Sequence, residues 1–154
     1  SSKNKDLQRF LSPIDQSTNF TFNKFLRKIT KNKNKTIKNL EVKGRKLEIQ
    51  NYYENIAKFD FDELCNRNLG SEDYMSIANN CNFIFIENLP DFKENNSNQQ
   101  QRFITLIDII YEKKIPLMIT SNVNLDKINS AKSIKEPFKR TISRLYELTS
   151  MNYN

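Results

Sequence analysis

Apolar residues recur along this chain in three rhythms, and each rhythm predicts a different kind of element. In "STNFTFNKFLRKIT", Phe22, Phe25, Leu26 and Ile29 return at the three-to-four-residue spacing of a helix with one buried face, behind Ser and Thr capping candidates. In "IKNLEVKGRKLEIQ" the period drops to two: Leu40 and Val42, then Leu47 and Ile49, alternate with polar residues around Lys43-Gly44. That is a β-hairpin signature in which glycine supplies a positive φ, and the hairpin is expected to be exposed. "IAKFDF" reads as a short strand and "DELCN" as a brief helical stretch. After a turn at Leu69-Gly70, Ser71 is expected to cap "EDYMSIANN".

The third rhythm is an unbroken apolar run. "CNFIFIENLP" carries Phe83 to Ile86 without a polar interruption, and "PLMIT" repeats the pattern. Strands apolar on both faces belong inside a sheet covered by helices. Between them lie a polar Asn-rich loop and the helix "QRFITLIDIIYEKK", with Phe103, Leu106, Ile107 and Ile110 on one stripe. Strand, crossover helix and strand in this order predict a parallel pair with a right-handed connection. Pro137 suits the first turn of a last helix, on which Phe138, Ile142, Leu145 and Thr149 share a face. The predicted fold class is therefore α/β: a mixed sheet with a parallel β-α-β unit (strands near 83–87 and 116–120, crossover helix near 99–113), an N-terminal helix and β-hairpin, and a C-terminal helix. A single domain over 1–154 is expected, with a basic helix and hairpin part over 1–46 and an α/β part over 47–154.

Composition narrows the chemistry. With 154 residues the chain can bury a core without disulfides or a metal. No apolar run reaches the length needed to span a bilayer, and "SSKNKDLQRF" has no apolar core of a signal peptide, so the expected location is the cytoplasm. The absence of histidine removes Ser-His and Cys-His pairs, and Cys65 and Cys81 have no metal-ligand spacing; no metal site is expected. Charge is unevenly distributed along the chain. Residues 1–46 hold 13 Lys and Arg against 3 acids, and residues 47–154 hold 12 against 15. The densest stretch, "RKITKNKNKTIK", lacks an interleaved aromatic for base stacking, so a nucleic-acid surface ranks below a solvated helix end and loop.

"FIFIEN" has the outline of a Walker B strand, four apolar residues before an acidic position, and "TSN" at Thr120 to Asn122 has the outline of a phosphate-positioning strand tip. Both would need a glycine-rich phosphate loop, and the chain has two glycines in all. "FIFIEN" thus reads as an ordinary buried strand with a polar end. Asp73 is adequately explained by a helical first turn. Arg140 and Arg144 are spaced to project from one side of the last helix, where they could grip a phosphate or an acidic partner; the plainer alternative is an intrahelical pair such as Glu136 with Arg140.

Taken together, "LEVKGRKLEI", "FDFDELCNRNLGSEDY", "RFITLIDIIYEK" and "KRTISRLYEL" resemble, in order and approximate spacing, the C-terminal part of the AFG-like, ZapE-type ATPases, a likeness that runs from about Arg9 in "RFLSPID" to Tyr153. Asn68 stands where that family usually has proline, and "ELTSMNY" departs from its more usual C-terminal run. The resemblance implies an AAA+ parent whose Walker A, Walker B and sensor strand lie upstream, with ATP and Mg²⁺ as cofactors of the parent and none bound by this chain alone. It implies that the chain completes or couples an upstream ATP-hydrolysing core, and that its partners are that core and cell-division or quality-control proteins. Arg45, Asp73, Arg102, Asp108, Arg140 and Arg144 match polar positions of the family motifs. Arg140 and Arg144 are the candidates for meeting phosphate or a neighbouring subunit, no catalytic residue is expected in this chain, and both arginines are expected to be exposed. Two alternatives stay open: a stand-alone protein-interaction module from a split gene, and a nucleic-acid-binding module using the basic first third.

Overall fold

A computed structural model describes residues 8–153. Its centre is one six-stranded mixed sheet in the order β1-β6-β5-β4-β3-β2, built from β1 (Phe10–Leu11), β2 (Thr36–Val42), β3 (Arg45–Tyr52), β4 (Ile56–Asp60), β5 (Phe83–Leu89) and β6 (Leu117–Ser121). β4, β5, β6 and β1 run parallel, and β3 and β2 add antiparallel strands at one edge. The helices are α1 (Gln16–Ile29), α2 (Phe61–Cys65), α3 (Ser71–Asn79), α4 (Ser97–Glu112) and α5 (Lys135–Leu148). The predicted β-α-β unit is present as β5, α4 and β6.

Alternation along the strands divides the core in two. Ala57, Phe59, Ile84, Ile86, Leu117 and Ile119 pack with α2, α3, α4 and α5 in one cluster. Ile56, Phe83, Phe85 and Met118, the intervening residues of the same strands, pack with Phe22 and Leu26 of α1 in a second. Period-two geometry is the reason: successive side chains leave opposite faces, so an unbroken apolar strand must be covered twice. One face takes four helices and the other takes α1.

Local signals explain the ends of the elements, with two corrections. The cap of α1 is Asp15, whose carboxylate accepts from the Thr18 backbone N–H while the Thr18 hydroxyl receives the Asp15 N–H; Ser17 lies inside the helix. Likewise Gly70, not Ser71, is the cap position of α3. In the hairpin turn Lys43 and Gly44 both take positive φ, 50° and 76°, as a two-residue connection of primed type requires. The hairpin is not free-standing. Tyr52 and Asn51 of β3 pair with Ala57 and Lys58 of β4, and Leu40, Val42, Leu47 and Ile49 are buried. The strand at Phe10–Leu11 lies outside every predicted element; two residues carry no readable period, and its parallel pairing with Ile119 and Thr120 is a tertiary fact.

Candidate functional site

The six polar motif positions resolve into links between distant elements. Arg45, just after the hairpin turn, donates through Nη2 to Asp73 of α3 at 2.9 Å, and Lys43 within the turn meets Glu72 at 2.7 Å. The Asp73 carboxylate, only 3% exposed as a residue, also accepts the Gly70 N–H at 2.8 Å. It therefore caps its own helix and holds the hairpin, a larger role than helix-dipole complementarity. Arg102 of α4 donates to the Cys65 carbonyl at 3.1 Å, and the Tyr74 hydroxyl donates to the Leu64 carbonyl at 2.6 Å. Two of the orphan carbonyls at the end of α2 are thereby satisfied by side chains. Burial raises the Tyr74 hydroxyl and the Cys65 thiol well above their ordinary pKa values, so the Tyr74 hydroxyl keeps the proton it donates. Two adjoining grooves, about 330 and about 440 Å³, flank Leu69, Gly70 and Ser71 here, with Arg102 in one wall and Arg45 in the other.

Asp108 organises the second group. Its carboxylate, on α4, receives Arg144 and, at 3.5 Å, Arg140, both from α5. Arg144 also lies over the Tyr111 ring with its guanidinium carbon 4.6 Å from the centroid, and Lys114 approaches the same ring at 3.9 Å. The two arginines are consequently unequal. Arg140 keeps a side-chain exposure of 52%, whereas Arg144 keeps 22%, which corrects the expectation that both stand exposed. The alternative pair of Glu136 with Arg140 does not form either: both arginines pair with Asp108 of α4, and Glu136 pairs with Lys139 at 3.2 Å. Asp108 could satisfy both arginines because α4 and α5 pack side by side, a relation that spacing within either helix cannot reveal.

The strand tips are closed by their own side chains. Thr120 and Ser121 are fully buried; the Thr120 hydroxyl accepts the Asn88 N–H at 2.9 Å, and the Ser121 hydroxyl accepts from Val123. Asn88 takes a left-handed φ of 67° at a break in the β5–β6 register and donates from its side chain to Asp60 at 2.7 Å. Glu87 pairs with Lys58 at 3.2 Å. Among the described residues no group of three or more Cys, Asp or Glu side chains is arranged to hold a metal ion. The side chains of Asn88, Thr120 and Ser121 are thus engaged within the protein at these strand tips.

Arg9 escaped the sequence reading. It is 7% exposed, and its guanidinium donates to the carbonyls of Leu117, Leu148 and Met151 at 2.9, 3.1 and 2.7 Å. The Phe83 ring lies 5.4 Å away, and burial lowers the arginine's pKa from its ordinary value. One side chain thus ties β1 and β6 to the segment after α5. Its signal was its place at the head of the family-like "RFLSPID" run.

These features define a mixed α/β unit whose motif residues brace helix to helix and turn to helix. The chain belongs to the AFG1-like ATPase family, whose family model matches residues 2–154. It is 25% identical over 144 residues to the Escherichia coli "Cell division protein ZapE", covering 94% of this chain and 38% of that protein. It is 34% identical over 89 residues to the zebrafish (Danio rerio) "Lactation elevated protein 1 homolog B", covering 58% of this chain and 18% of that one. The chain therefore spans well under half the length of these curated relatives. No solved structure gives a significant match. No helix among the described residues is long and apolar enough to cross a membrane.

Proposed function

We propose that this chain acts as the C-terminal coupling part of an AFG1-like, ZapE-type ATPase, bracing and relaying to an ATP-hydrolysing core that lies elsewhere in the parent protein. The observation that carries this reading is the family match over residues 2–154 by a chain that spans 38% of ZapE and has two glycines in all, too few for a phosphate-cradling loop beside its turns. ATP and Mg²⁺ belong to that core, and the cytoplasm is the compartment in which the parent would work. Cell-division or quality-control proteins are the partners in view, the first because of the printed name of the E. coli relative. Within the chain, Arg140 is the group best placed for a neighbouring subunit or an acidic partner, since it is half exposed and shares its carboxylate with Arg144.

The test combines this chain with the P-loop part of the parent. The chain alone should show no steady ATP turnover, and adding it to the P-loop part should restore or raise turnover. Arg140→Ala should remove that gain without changing the chain's melting temperature. Sustained hydrolysis by the chain alone, or a gain indifferent to Arg140, would sink the reading.

A further inference from the structure

We propose that the end of α1, the loop after it and the adjoining aromatic groove form a binding site for single-stranded nucleic acid. The sequence objection was the lack of an aromatic within Arg27 to Lys38. Tertiary structure supplies the aromatics from elsewhere. A groove of about 360 Å³ is lined by Phe25, Lys28, Ile29 and Tyr153, and the last of these comes from the far end of the chain. Both rings are half-buried and rest on Phe83, with Phe25 tilted at a centroid distance of 5.7 Å and Tyr153 edge-on at 4.8 Å. They are braced from below and open to the groove, as a stacking platform requires.

Charge distribution points the same way. Seven ion pairs join the described residues, and none uses a cation between Lys24 and Lys38. Arg27, Lys28, Lys31 and Lys35 are exposed, and Lys33 is half-buried. Glu54, the acid that reaches this loop, is occupied by the Asn34 N–H at 2.8 Å. A contiguous set of uncompensated cations favours an anionic polymer, whose phosphates would release counterions on contact. Three classes of anionic surface compete for it. A membrane would need the apolar face of α1, yet Phe22 and Leu26 are buried against the sheet, and Phe20, the exposed aromatic of that helix, does not line the groove. An acidic protein segment would use the lysines and leave the aromatic groove without a role. Single-stranded nucleic acid uses both, and exposed Asn32 and Asn34 add side-chain amides that can meet base edges.

The test is fluorescence anisotropy of the purified chain with labelled oligo-dT and oligo-U of about 20 nucleotides, a matching duplex, and polyglutamate of similar charge. Binding to the single strands is expected at low salt, with log affinity falling against log salt at a slope of roughly −2 to −4, as for three to five phosphate contacts on a single strand. Lys31→Glu with Lys33→Glu and Lys35→Glu should abolish it. Tyr153→Leu should weaken it about tenfold while Tyr153→Phe retains it, with circular dichroism checking that each variant is folded. Failure to bind at low salt, or binding that survives the triple reversal, would overturn the proposal. So would equal affinity for the duplex, whose paired bases cannot stack on the rings, or equal affinity for polyglutamate, which would reassign the patch to an acidic protein segment.

Discussion

Arg144 of α5 donates to the carboxylate of Asp108, 36 residues earlier on α4, while its guanidinium covers the Tyr111 ring one helical turn beyond that acid. A charge-assisted hydrogen bond and a cation–π contact at a half-buried site together stabilise the α4–α5 packing. Arg144→Ala should therefore cost about 1–2 kcal/mol, whereas exposed Arg140→Ala should stay within about 0.5 kcal/mol. Thermal melts of the two single variants decide it. For a chain of this size the first should melt lower by about 2–4 °C per kcal/mol. Equal melting temperatures would mean that Arg144 is no more structural than Arg140.

Arg9 offers a sharper case, because three backbone carbonyls from two regions depend on one buried guanidinium. Arg9→Ala should lower stability by about 2–4 kcal/mol through unpaired acceptors and an unfilled volume. Arg9→Lys should recover only part of it, since a single ammonium cannot reproduce the guanidinium fork. The readout is the urea midpoint. Recovery of the full midpoint by lysine would count against the geometry.

Thr120 tests whether the strand tip is structural. Its hydroxyl is the acceptor for the Asn88 N–H at the register break, so Thr120→Val should cost about 1–2 kcal/mol. Thr120→Ser, which keeps the hydroxyl, should cost clearly less. Hydrogen exchange at Asn88 should accelerate in the valine variant and stay slow in the serine one.

A fourth expectation concerns alkaline pH. Burial raises the Cys65 and Tyr74 protons above their ordinary values, and pushes Cys81 from 9.0 up to about 12. In the unfolded chain these groups release their protons first, so above pH 9 the native state binds more protons than the unfolded one. Stability tied to them is fully present below the unfolded pKa and falls as pH rises, by about 1.4 kcal/mol per pH unit for each group that has ionised only in the unfolded chain. Chemical denaturation between pH 7 and 11 should show a plateau followed by a decline beginning near pH 9. Cys81→Ala should make the decline shallower, and an unchanged slope would contradict the burial argument.

Local period and turn chemistry specify the main elements of this fold, though not the exact caps of α1 and α3. The unbroken runs at Phe83–Ile86 and Leu117–Ile119, with the amphipathic helix between them, specify a parallel unit because strands apolar on both faces need helices over them. Lys43-Gly44 marks the hairpin, and the linked motifs mark the family. Tertiary structure alone decided which side chains meet. Nothing within α4 says that Asp108 faces Arg144, nothing in "RFLSPID" says that Arg9 reaches the carbonyls of Leu148 and Met151, and nothing in the lysine-rich loop says that Tyr153 comes to lie beside Phe25. Local sequence fixes the direction in which a side chain leaves its own element. Its partner depends on how separate elements are laid against one another, and that follows from burying both faces of the sheet at once.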